Sequence, residues 1–309
     1  MILLTKNIIA TLAYYDVMGY PLTAFEVWKH FLAVENEVGR EQVTLVSVYE
    51  ALCMLVSEQR IREDRGFYCL PDRRGLVDRR LADGKVSISR LKRLKSLVWW
   101  LRLLPFVRMI GTTGSLAMEK GEGESDWDLF IVLRSGHIFT GRAIITLFLQ
   151  LIGKRRHGEK TKNRACLNYF ITEESLEIAT KDIYSAHEYR FLIPLYGWAV
   201  YRKFEMANRW IVRFQPQFFL TEEPPFFLIG ESAFLHRSRA FFENILGQNI
   251  IEKSLRTWQQ EKIARNPLSQ LEASYIEATD RALIFLPKPR GPKTFVAFRD
   301  RLATLRLSE

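Results

Sequence analysis

Residues that bind transition metals or form disulfides are scarce in this sequence: of its 309 residues, three are cysteine and five are histidine. Cys53, Cys69 and Cys166 each lie in an apolar stretch, and none has the CxxC or Cys/His spacing of a metal site. We therefore expect three reduced thiols in the protein core, no zinc site and a cytoplasmic setting.

Long apolar runs are also absent. The most apolar stretch, Ile138 to Gly153, has sixteen residues and is interrupted by Arg142, whereas a helix needs about 20 apolar residues to cross a bilayer. We expect this stretch to form a buried helix. The first residues lack the charged leader, apolar segment and small-residue cleavage site of a signal peptide, so neither a membrane span nor a signal peptide is expected.

Positive charge is abundant, and it is unevenly distributed. The formal net charge is +10. Between Arg73 and Arg108 there are eleven lysines and arginines against two acids, and a second basic cluster covers Lys154 to Arg164. An excess of this kind favours an acidic partner, which includes a nucleotide, a nucleic acid or an anionic surface. The length and the 48% hydrophobic content predict a folded protein of two or three domains.

Residues 1–74 carry three helical patterns followed by two short strands around a polar turn, which predicts a winged-helix-like domain. The expected helices and the expected hairpin cover Thr5–Met18, Thr23–Phe31, Leu45–Glu58 and Arg60–Leu70. The third helix has almost no side chains that could contact base edges or phosphates. The pattern therefore favours a structural or partner-docking role over DNA binding, with Arg60, Arg62 and Arg65 as the evident anion contacts.

The rest of the chain predicts an α/β fold of the α+β type in three further parts. Residues 75–104 have the pattern of a basic amphipathic connecting helix, whose basic face is expected to be solvated. Residues 105–184 alternate between strands and helices and should form a mixed-sheet core. Residues 185–309 are expected to be a mostly helical domain, with a late strand at Ala282–Leu286 and a terminal helix.

One group of residues has a spacing that suggests chemistry. Gly114 and Ser115 are followed after ten residues by Asp126, Trp127 and Asp128 on an expected strand. Side chains alternate along a strand, so both aspartates should project from one face. Two carboxylates on one face can share divalent cations with triphosphate oxygens. The serine should begin a short helix, whose free amides favour a phosphate group.

This combination resembles the signature of the DNA polymerase β nucleotidyltransferase superfamily, and the resemblance covers about Phe106 to Thr172. The full layout is similar to that of uncharacterised bacterial nucleotidyltransferase-domain proteins with an N-terminal winged helix. The resemblance implies Mg²⁺ on Asp126 and Asp128, a two-metal site in active members, and a nucleoside triphosphate as substrate. The nucleotide-binding residues that it implies are Gly114, Ser115, Ser125 and Asn168.

Active members of that superfamily usually carry a third carboxylate on a following strand, and the position that best aligns here is Asn168. An amide brings no negative charge to a metal and cannot act as a general base. Acids that could replace the missing charge are Glu173, Glu174, Glu177 and Asp182. Further candidate cleft residues, for which capping and packing are the alternative roles, are His187, Glu188, Asn208, Arg209 and Trp210.

The expected function is Mg²⁺-dependent transfer of a nucleoside monophosphate from a nucleoside triphosphate to a hydroxyl group of a small molecule, a protein or RNA. The alternative is a catalytically weak or inactive nucleotide sensor that binds DNA or a protein partner through the winged helix. A third possibility is modification of nucleic-acid ends, although Trp99 and Trp100, the aromatic residues of the basic helix, are expected on its apolar face.

Overall fold

The computed structural model describes residues 2–33, 43–121, 125–158, 160–220 and 223–305. These residues form a mixed α/β structure. The α-helices are α1 (Ile2–Val17), α2 (Ala24–Lys29), α3 (Leu45–Ser57), α4 (Leu76–Leu101), α5 (Gly114–Ala117), α6 (Ile138–Leu151), α7 (Ile183–Arg190), α8 (Trp198–Ala207), α9 (Ala233–Leu246), α10 (Asn249–Ala264) and α11 (Gly291–Thr304). The strands are β1 (Leu22–Thr23), β2 (Arg62–Asp64), β3 (Phe67–Cys69), β4 (Val107–Thr112), β5 (Trp127–Leu133), β6 (Ala165–Thr172), β7 (Ile193–Tyr196), β8 (Tyr275–Ala278) and β9 (Ala282–Leu286). Short 3₁₀ helices cover Arg209–Arg213 and Pro267–Gln270.

The N-terminal part contains the three expected helices and the expected hairpin. Strand β1 also pairs with β3, so the strands form an antiparallel sheet in the order β1-β3-β2. Thr23 caps α2 as expected, because its hydroxyl accepts a hydrogen bond from the Glu26 amide at 3.2 Å. The Glu26 carboxylate in turn accepts one from the Thr23 amide at 2.9 Å, which completes a reciprocal cap.

Helix α4 buries its leucine-rich face in the core, as its spacing predicts. Its polar face is less uniform than expected. Lys92 and Arg93 are exposed, but Arg90 is buried against the loop that precedes β5. Trp99 and Trp100 are 44% and 54% exposed, so the expectation that both rings lie on the apolar face is wrong. They directly follow the buried Leu97 and Val98. Because successive residues project in different directions around a helix, these next two side chains point away from the core.

The larger sheet has the strand order β7-β4-β5-β6-β9-β8. Strands β5 and β6 run parallel and are joined through α6, while the other neighbouring pairs are antiparallel. One face packs against α4 and α6. The other face packs against α8 and part of α7. The parallel crossover places the N-terminal ends of β5 and β6 side by side, beside the C-terminal end of α6.

The sheet extends beyond residue 184, where the expected core ended. The late strand β9 is present as expected, but β7 and β8 also belong to this sheet, in a region that we expected to be helical. The sequence around Ile193–Tyr196 is continuously apolar, and hydrophobic periodicity alone cannot tell a buried strand from a buried helix in so short a run. In the structure this segment is a strand, in which Tyr196 pairs with Ile110 of β4.

The cysteines are free thiols, but they are not all core residues. Cys69 is buried, Cys166 is partly buried and Cys53 is exposed. The expectation of a core position is therefore wrong for Cys53. Helix α3 turns Val48, Leu52 and other apolar residues inward, and Cys53 lies outside that face. Apolar neighbours in sequence do not ensure burial on a helix.

A membrane span was not expected, and within the described residues no helix combines the length and the apolar composition needed to cross a bilayer.

A buried polar contact joins the N-terminal helices to the rest of the molecule. The Tyr15 hydroxyl lies 3.0 Å from Nδ1 of His187, and Nε2 lies 3.3 Å from the sulfur of Met118. A thioether carries no proton, so Nε2 holds the ring hydrogen and Nδ1 accepts from Tyr15. His187 is 1% exposed, so it has the packing role rather than a place in a cleft. Burial lowers the pKa of His187 to about 3.

This burial predicts a specific loss of stability in mild acid. The unfolded chain protonates His187 near its ordinary pKa, about 6.5, whereas the folded protein does not until the pH approaches about 3. The unfolded state therefore binds more protons between these values, and stability falls as the pH falls. From pH 7 to pH 5 this single group should cost about 2 kcal/mol of unfolding free energy.

The measurement is urea unfolding at both pH values for the wild type, His187→Gln and the exposed-site control His157→Gln. The decrease between pH 7 and pH 5 should shrink by about 2 kcal/mol in His187→Gln and stay at the wild-type value in the control. Equal decreases in all three proteins would contradict the role given to His187. Each protein is compared with itself, so a general destabilisation by the substitution does not affect the result.

Candidate active site at the start of strand β5

The two aspartates lie where the motif predicts. Asp128 is the second residue of β5, and Asp126 immediately precedes the strand. The turn that begins α5 lies directly beside them. The Thr112 hydroxyl and the Thr113 amide both donate to the Asp128 carbonyl, at 3.0 and 3.1 Å. Pairing of β4 with β5 therefore places the Gly114 turn against the carboxylates.

Gly114 is required at this turn for two reasons. Its φ is +66°, a conformation that residues with a side chain rarely adopt. A Cβ at this position would lie 2.6 Å from Oδ2 of Asp128. The backbone thus approaches the carboxylate to a distance that any other residue would prevent.

The third side chain at the site is Cys166. One ligand atom from each of Asp126, Asp128 and Cys166 lies within 4.8 Å of the others. In the β5/β6 ladder Cys166 pairs with Asp128, and the register shifts before Phe130 pairs with Tyr169. Asn168, which we expected at the third position, lies beyond that pair in the irregular stretch and lines the cleft. A register shift of this kind cannot be read from residue counting.

The electrostatics of the site are those of crowded, desolvated acids. Burial is the largest cause of a raised pKa at Asp128, and the charges of Asp126 and Glu188 add to it. Arg290 and Arg156 act in the opposite direction, and the resulting pKa is about 7. Burial and the two aspartates also raise the pKa of the Cys166 thiol to about 12. The thiol is therefore protonated and neutral near pH 7. Negative charge at the three-residue cluster comes from the aspartates alone.

Ser115 and Ser125 are brought together across the turn, with their hydroxyl oxygens 3.3 Å apart. Arg90 donates to the Ser125 hydroxyl at 2.8 Å and to the Ser125 carbonyl at 2.6 Å, and it also reaches the Asp126 carbonyl at 3.1 Å. Arg90 thus holds the main chain that leads into Asp126. Sequence reasoning placed this arginine on a solvated face. The available signal was its helical spacing of one and four residues from Leu91 and Leu94, which are buried.

Glu188 also stabilises the Gly114 turn. Its carboxylate accepts a hydrogen bond from the Gly114 amide at 3.0 Å, and it also interacts with the Thr113 hydroxyl and with Tyr184. Burial raises the pKa of Glu188, and these hydrogen bonds oppose the rise. Of the two neighbours named in the sequence, Glu188 belongs to the site and His187 does not.

The acids that we considered as replacements for a third carboxylate are engaged elsewhere or exposed. Glu173 lies 3.5 Å from Arg108, Glu177 pairs with Lys181, and Glu174 is exposed. Asp182 lines the cleft but caps α7, accepting from the Ser185 amide at 2.7 Å. Asn208 is fully buried and accepts from the Trp210 indole at 2.9 Å, which is the packing role.

The carboxylates open onto a cleft of about 1410 Å³. Arg156 lines it and donates to Oδ2 of Asp126 at 2.5 Å. The basic cluster predicted near residue 160 thus contributes to the site. Other cations of the cleft come from α6, from α10 and from the segment around the start of α11, and local motifs could not show that they line one cleft: Arg142, Lys262, Lys288 and Arg290.

The donor set fits a hard divalent cation better than a soft one. Asp126 and Asp128 supply carboxylate oxygens, which Mg²⁺ prefers, and Mg²⁺ in enzymes commonly uses one or two carboxylates together with phosphate oxygens and water. Zn²⁺ sites usually combine several thiolate or imidazole ligands, whereas this cluster offers a single thiol beside two carboxylates. The site could therefore hold Mg²⁺ on two carboxylates, with Cys166 as a neutral neighbour.

Substitution of Gly114 tests whether the close approach of the turn organises the carboxylates. Gly114→Ala should lower the Mn²⁺ affinity by about tenfold or more, because the methyl group collides with Asp128. Gly136→Ala is the matched control, since its φ is +77° and a Cβ there meets nothing within 4 Å. Both variants should lose about 1–2 kcal/mol of stability through backbone strain.

Calorimetric titration with Mn²⁺ and urea unfolding give the two quantities. Equal Mn²⁺ affinities in the two variants would show that the contact between Gly114 and Asp128 does not organise the site.

Comparison of the chain with protein-family models, with curated proteins and with solved structures gave no match. Function must therefore be argued from the chemistry of the site.

Proposed function

We propose that this protein is a divalent-metal-dependent nucleotidyltransferase that moves a nucleoside monophosphate from a nucleoside triphosphate to a hydroxyl group. The observation that carries the proposal is the contact between the Gly114 turn and the paired carboxylates of Asp126 and Asp128, at the wall of a large cleft. Paired carboxylates beside a glycine turn suit a metal-bound triphosphate, which needs both anionic metal ligands and a close backbone.

In this reaction the acceptor hydroxyl loses its proton to solvent and its oxygen forms a bond to the α-phosphorus. The bond from that phosphorus to the pyrophosphate oxygen breaks, and pyrophosphate leaves. A bound Mg²⁺ would supply charge neutralisation on the phosphate oxygens. Asp126 and Asp128 would hold it and fix its position. Arg156 and Arg290 are the cations whose charges act on Asp128, and under this proposal they would bind phosphate oxygens and the departing pyrophosphate.

The size of the cleft supports a reaction with two substrates. Pockets for a single small ligand are typically about 300–1,000 Å³, and this cleft measures about 1410 Å³. It therefore has room for a nucleotide and for an acceptor at the same time.

The N-terminal part supports a docking role. We propose that it is a winged-helix-like module that binds a protein partner. The outer face of α3 presents Val46 and Tyr49, which are 66% and 53% exposed, together with the exposed Cys53. An apolar outer face of this kind lacks the cations and amides needed to contact DNA.

Substitution of the aspartates tests the proposed reaction. Asp126→Asn and Asp128→Asn keep the side-chain shape but remove the negative charge, so pyrophosphate release from a nucleoside triphosphate should fall by about 100-fold or more. Asp300→Asn, an exposed residue of α11, is the control and should be unaffected. The measurement is pyrophosphate release with each of the four nucleoside triphosphates in the presence of Mg²⁺, with and without candidate hydroxyl acceptors.

Calorimetric titration with a nonhydrolysable nucleoside triphosphate and Mn²⁺ accompanies this assay. The proposal fails if the wild type releases no pyrophosphate and if its nucleotide binding is the same as that of the two aspartate variants.

Cys166 favours a second candidate function, nucleotide sensing without turnover. The residue that faces Asp128 on β6 is a neutral thiol, so the cluster has at most two negative charges. Two charges suffice for binding a metal-bound nucleotide, whereas fast transfer in two-metal sites depends on several ligands. Under this alternative the wild type binds Mg²⁺ and nucleotide tightly but releases no pyrophosphate.

The substitution Cys166→Asp tests what a third negative charge contributes to metal binding and to the reaction. A third carboxylate facing Asp128 should raise the Mn²⁺ affinity by about tenfold or more, and it should raise the rate of pyrophosphate release if charge limits the rate. Cys166→Ser, which is neutral and similar in size, should leave the Mn²⁺ affinity close to the wild-type value. A lower affinity in Cys166→Asp than in Cys166→Ser would contradict the placement of residue 166 beside the metal.

A further inference from the structure

The cleft contains a half-buried arginine that has no acidic partner among the described residues. Arg142 lies on α6, and its guanidinium donates to Oε1 of Gln259 on α10 at 2.7 Å. It also lies 5.9 Å from the ring centroid of Phe170. Burial lowers the pKa of Arg142 to about 10. Within the described part of the chain it forms no salt bridge, and of its five donors one has a hydrogen-bond acceptor.

A second arginine lines the same cleft. Arg155 follows the end of α6, and its positive charge contributes, after burial, to the lowered pKa of Arg142. Arg155 also has no salt bridge to any described carboxylate. Lys262, on α10, lines the cleft too, with its ammonium 5.0 Å from the ring centroid of Trp258. These three residues, Arg142, Arg155 and Lys262, are called the helix-wall cations below.

Two half-buried arginines elsewhere are paired with acids: Arg108 pairs with Glu243 at 2.8 Å, and Arg80 pairs with Glu26 at 3.0 Å. Others donate to main-chain carbonyls instead, as Arg102 does to Gly230 at 2.6 Å. A desolvated cation without an anion is unfavourable, and two neighbouring ones are more so. An anionic ligand would remove this cost, because guanidinium groups bind phosphate through paired, charge-assisted hydrogen bonds.

The helix-wall cations are distinct from the cations at the carboxylates. The positive charges that act on Asp128 are those of Arg290 and Arg156, whereas the charge that acts on Arg142 is that of Arg155. Arg142 also lies nine residues before the end of α6 at Leu151, which corresponds to about 14 Å along the helix. The triphosphate, which must lie against the Gly114 turn, therefore does not account for Arg142.

We propose that the wall formed by α6 and α10 binds a phosphate group of the acceptor, so that the acceptor is a phosphate-bearing molecule. The phosphate site itself is defined by the helix-wall cations. Its role as the acceptor site rests on the proposed function, because it depends on transfer at Asp126 and Asp128. Arg155 adjoins Arg156, which binds Asp126. The phosphate site thus leads directly to the metal-binding carboxylates.

Calorimetric titration of the full chain with inorganic phosphate, without divalent cation, tests the site. Arg155→Gln and Arg142→Gln should each weaken phosphate binding by about tenfold or more. Arg142→Lys keeps the charge and should retain most of the binding. Arg93→Gln, an exposed position of α4 outside the cleft, is the matched control. Circular dichroism checks folding of the Arg142 variants, and Arg155→Gln provides the same test without breaking the contact between α6 and α10.

The nucleotide experiment separates this proposal from the proposed function. Binding of a nonhydrolysable nucleoside triphosphate with Mn²⁺ should be unchanged in Arg155→Gln, and inorganic phosphate should not compete with it. If phosphate competes with the nucleotide, or if it binds the Gln variants as tightly as the wild type, the separate phosphate site does not exist, and the transferase proposal stands by itself. If phosphate binding follows the helix-wall cations but the aspartate variants keep normal nucleotide binding, the transferase proposal fails and the anion site stands.

Ribose 5-phosphate and a short single-stranded RNA distinguish the source of the phosphate. Both carry the phosphate chemistry that the site requires, so tighter binding of either one that is lost in Arg155→Gln supports the proposal and identifies the acceptor as a small phosphate ester or as RNA. Failure of both to bind in a manner that depends on Arg155 would overturn it.

Discussion

The contact between the Gly114 turn and Asp128 is the constraint on which the site depends. Two hydrogen bonds from the end of β4 to the Asp128 carbonyl fix the main chain, and the absence of a side chain at Gly114 lets the turn close over the carboxylate. Arg90 holds the chain before Asp126, and Glu188 holds the turn itself. Arg90, helix α7 and strands β4 and β5 therefore determine the positions of the Asp126 and Asp128 carboxylates, as preorganised sites require.

The same contacts make the site electrostatically unfavourable without a cation. Three acidic groups lie in a partly desolvated space: Asp126, Asp128 and Glu188. Ionisation of Asp128 is unfavourable there, and its pKa is raised for this reason. Cys166 adds no negative charge, so it limits the repulsion and also limits the number of anionic ligands. The helix-wall cations have the opposite problem, since Arg142 and Arg155 line the same cleft and neither forms a salt bridge with a described acid. One cleft therefore contains both crowded acids and cations without acidic partners. Unfavourable charge arrangements of this kind are typical of ligand-binding sites.

Local patterns predicted the parts of the fold and of the site that local physics determines. The helices of the first hundred residues and the order of β4, α5, β5, α6 and β6 follow from periodicity and turns, and the two aspartates follow from alternation along β5. The pairing of Cys166 with Asp128 depends on a register shift between strands, which counting residues could not reveal. Asn168 lines the same cleft, and its role in nucleotide binding stays a prediction. Arg142 and Lys262 meet in the cleft only after α6 and α10 pack together. Long-range packing decides these contacts, and no single segment encodes them.

Helix α7 shows how the N-terminal part and the site are joined. His187 and Glu188 are consecutive, yet His187 contacts Tyr15 of α1 while Glu188 contacts the Gly114 amide. Each contact is a single buried or half-buried hydrogen bond of about 3 Å, and such bonds weaken steeply once the atoms separate. A displacement of α7 large enough to break one of them also disturbs the other. Docking of the N-terminal helices and closure of the glycine turn on Asp128 therefore require the same placement of one short helix.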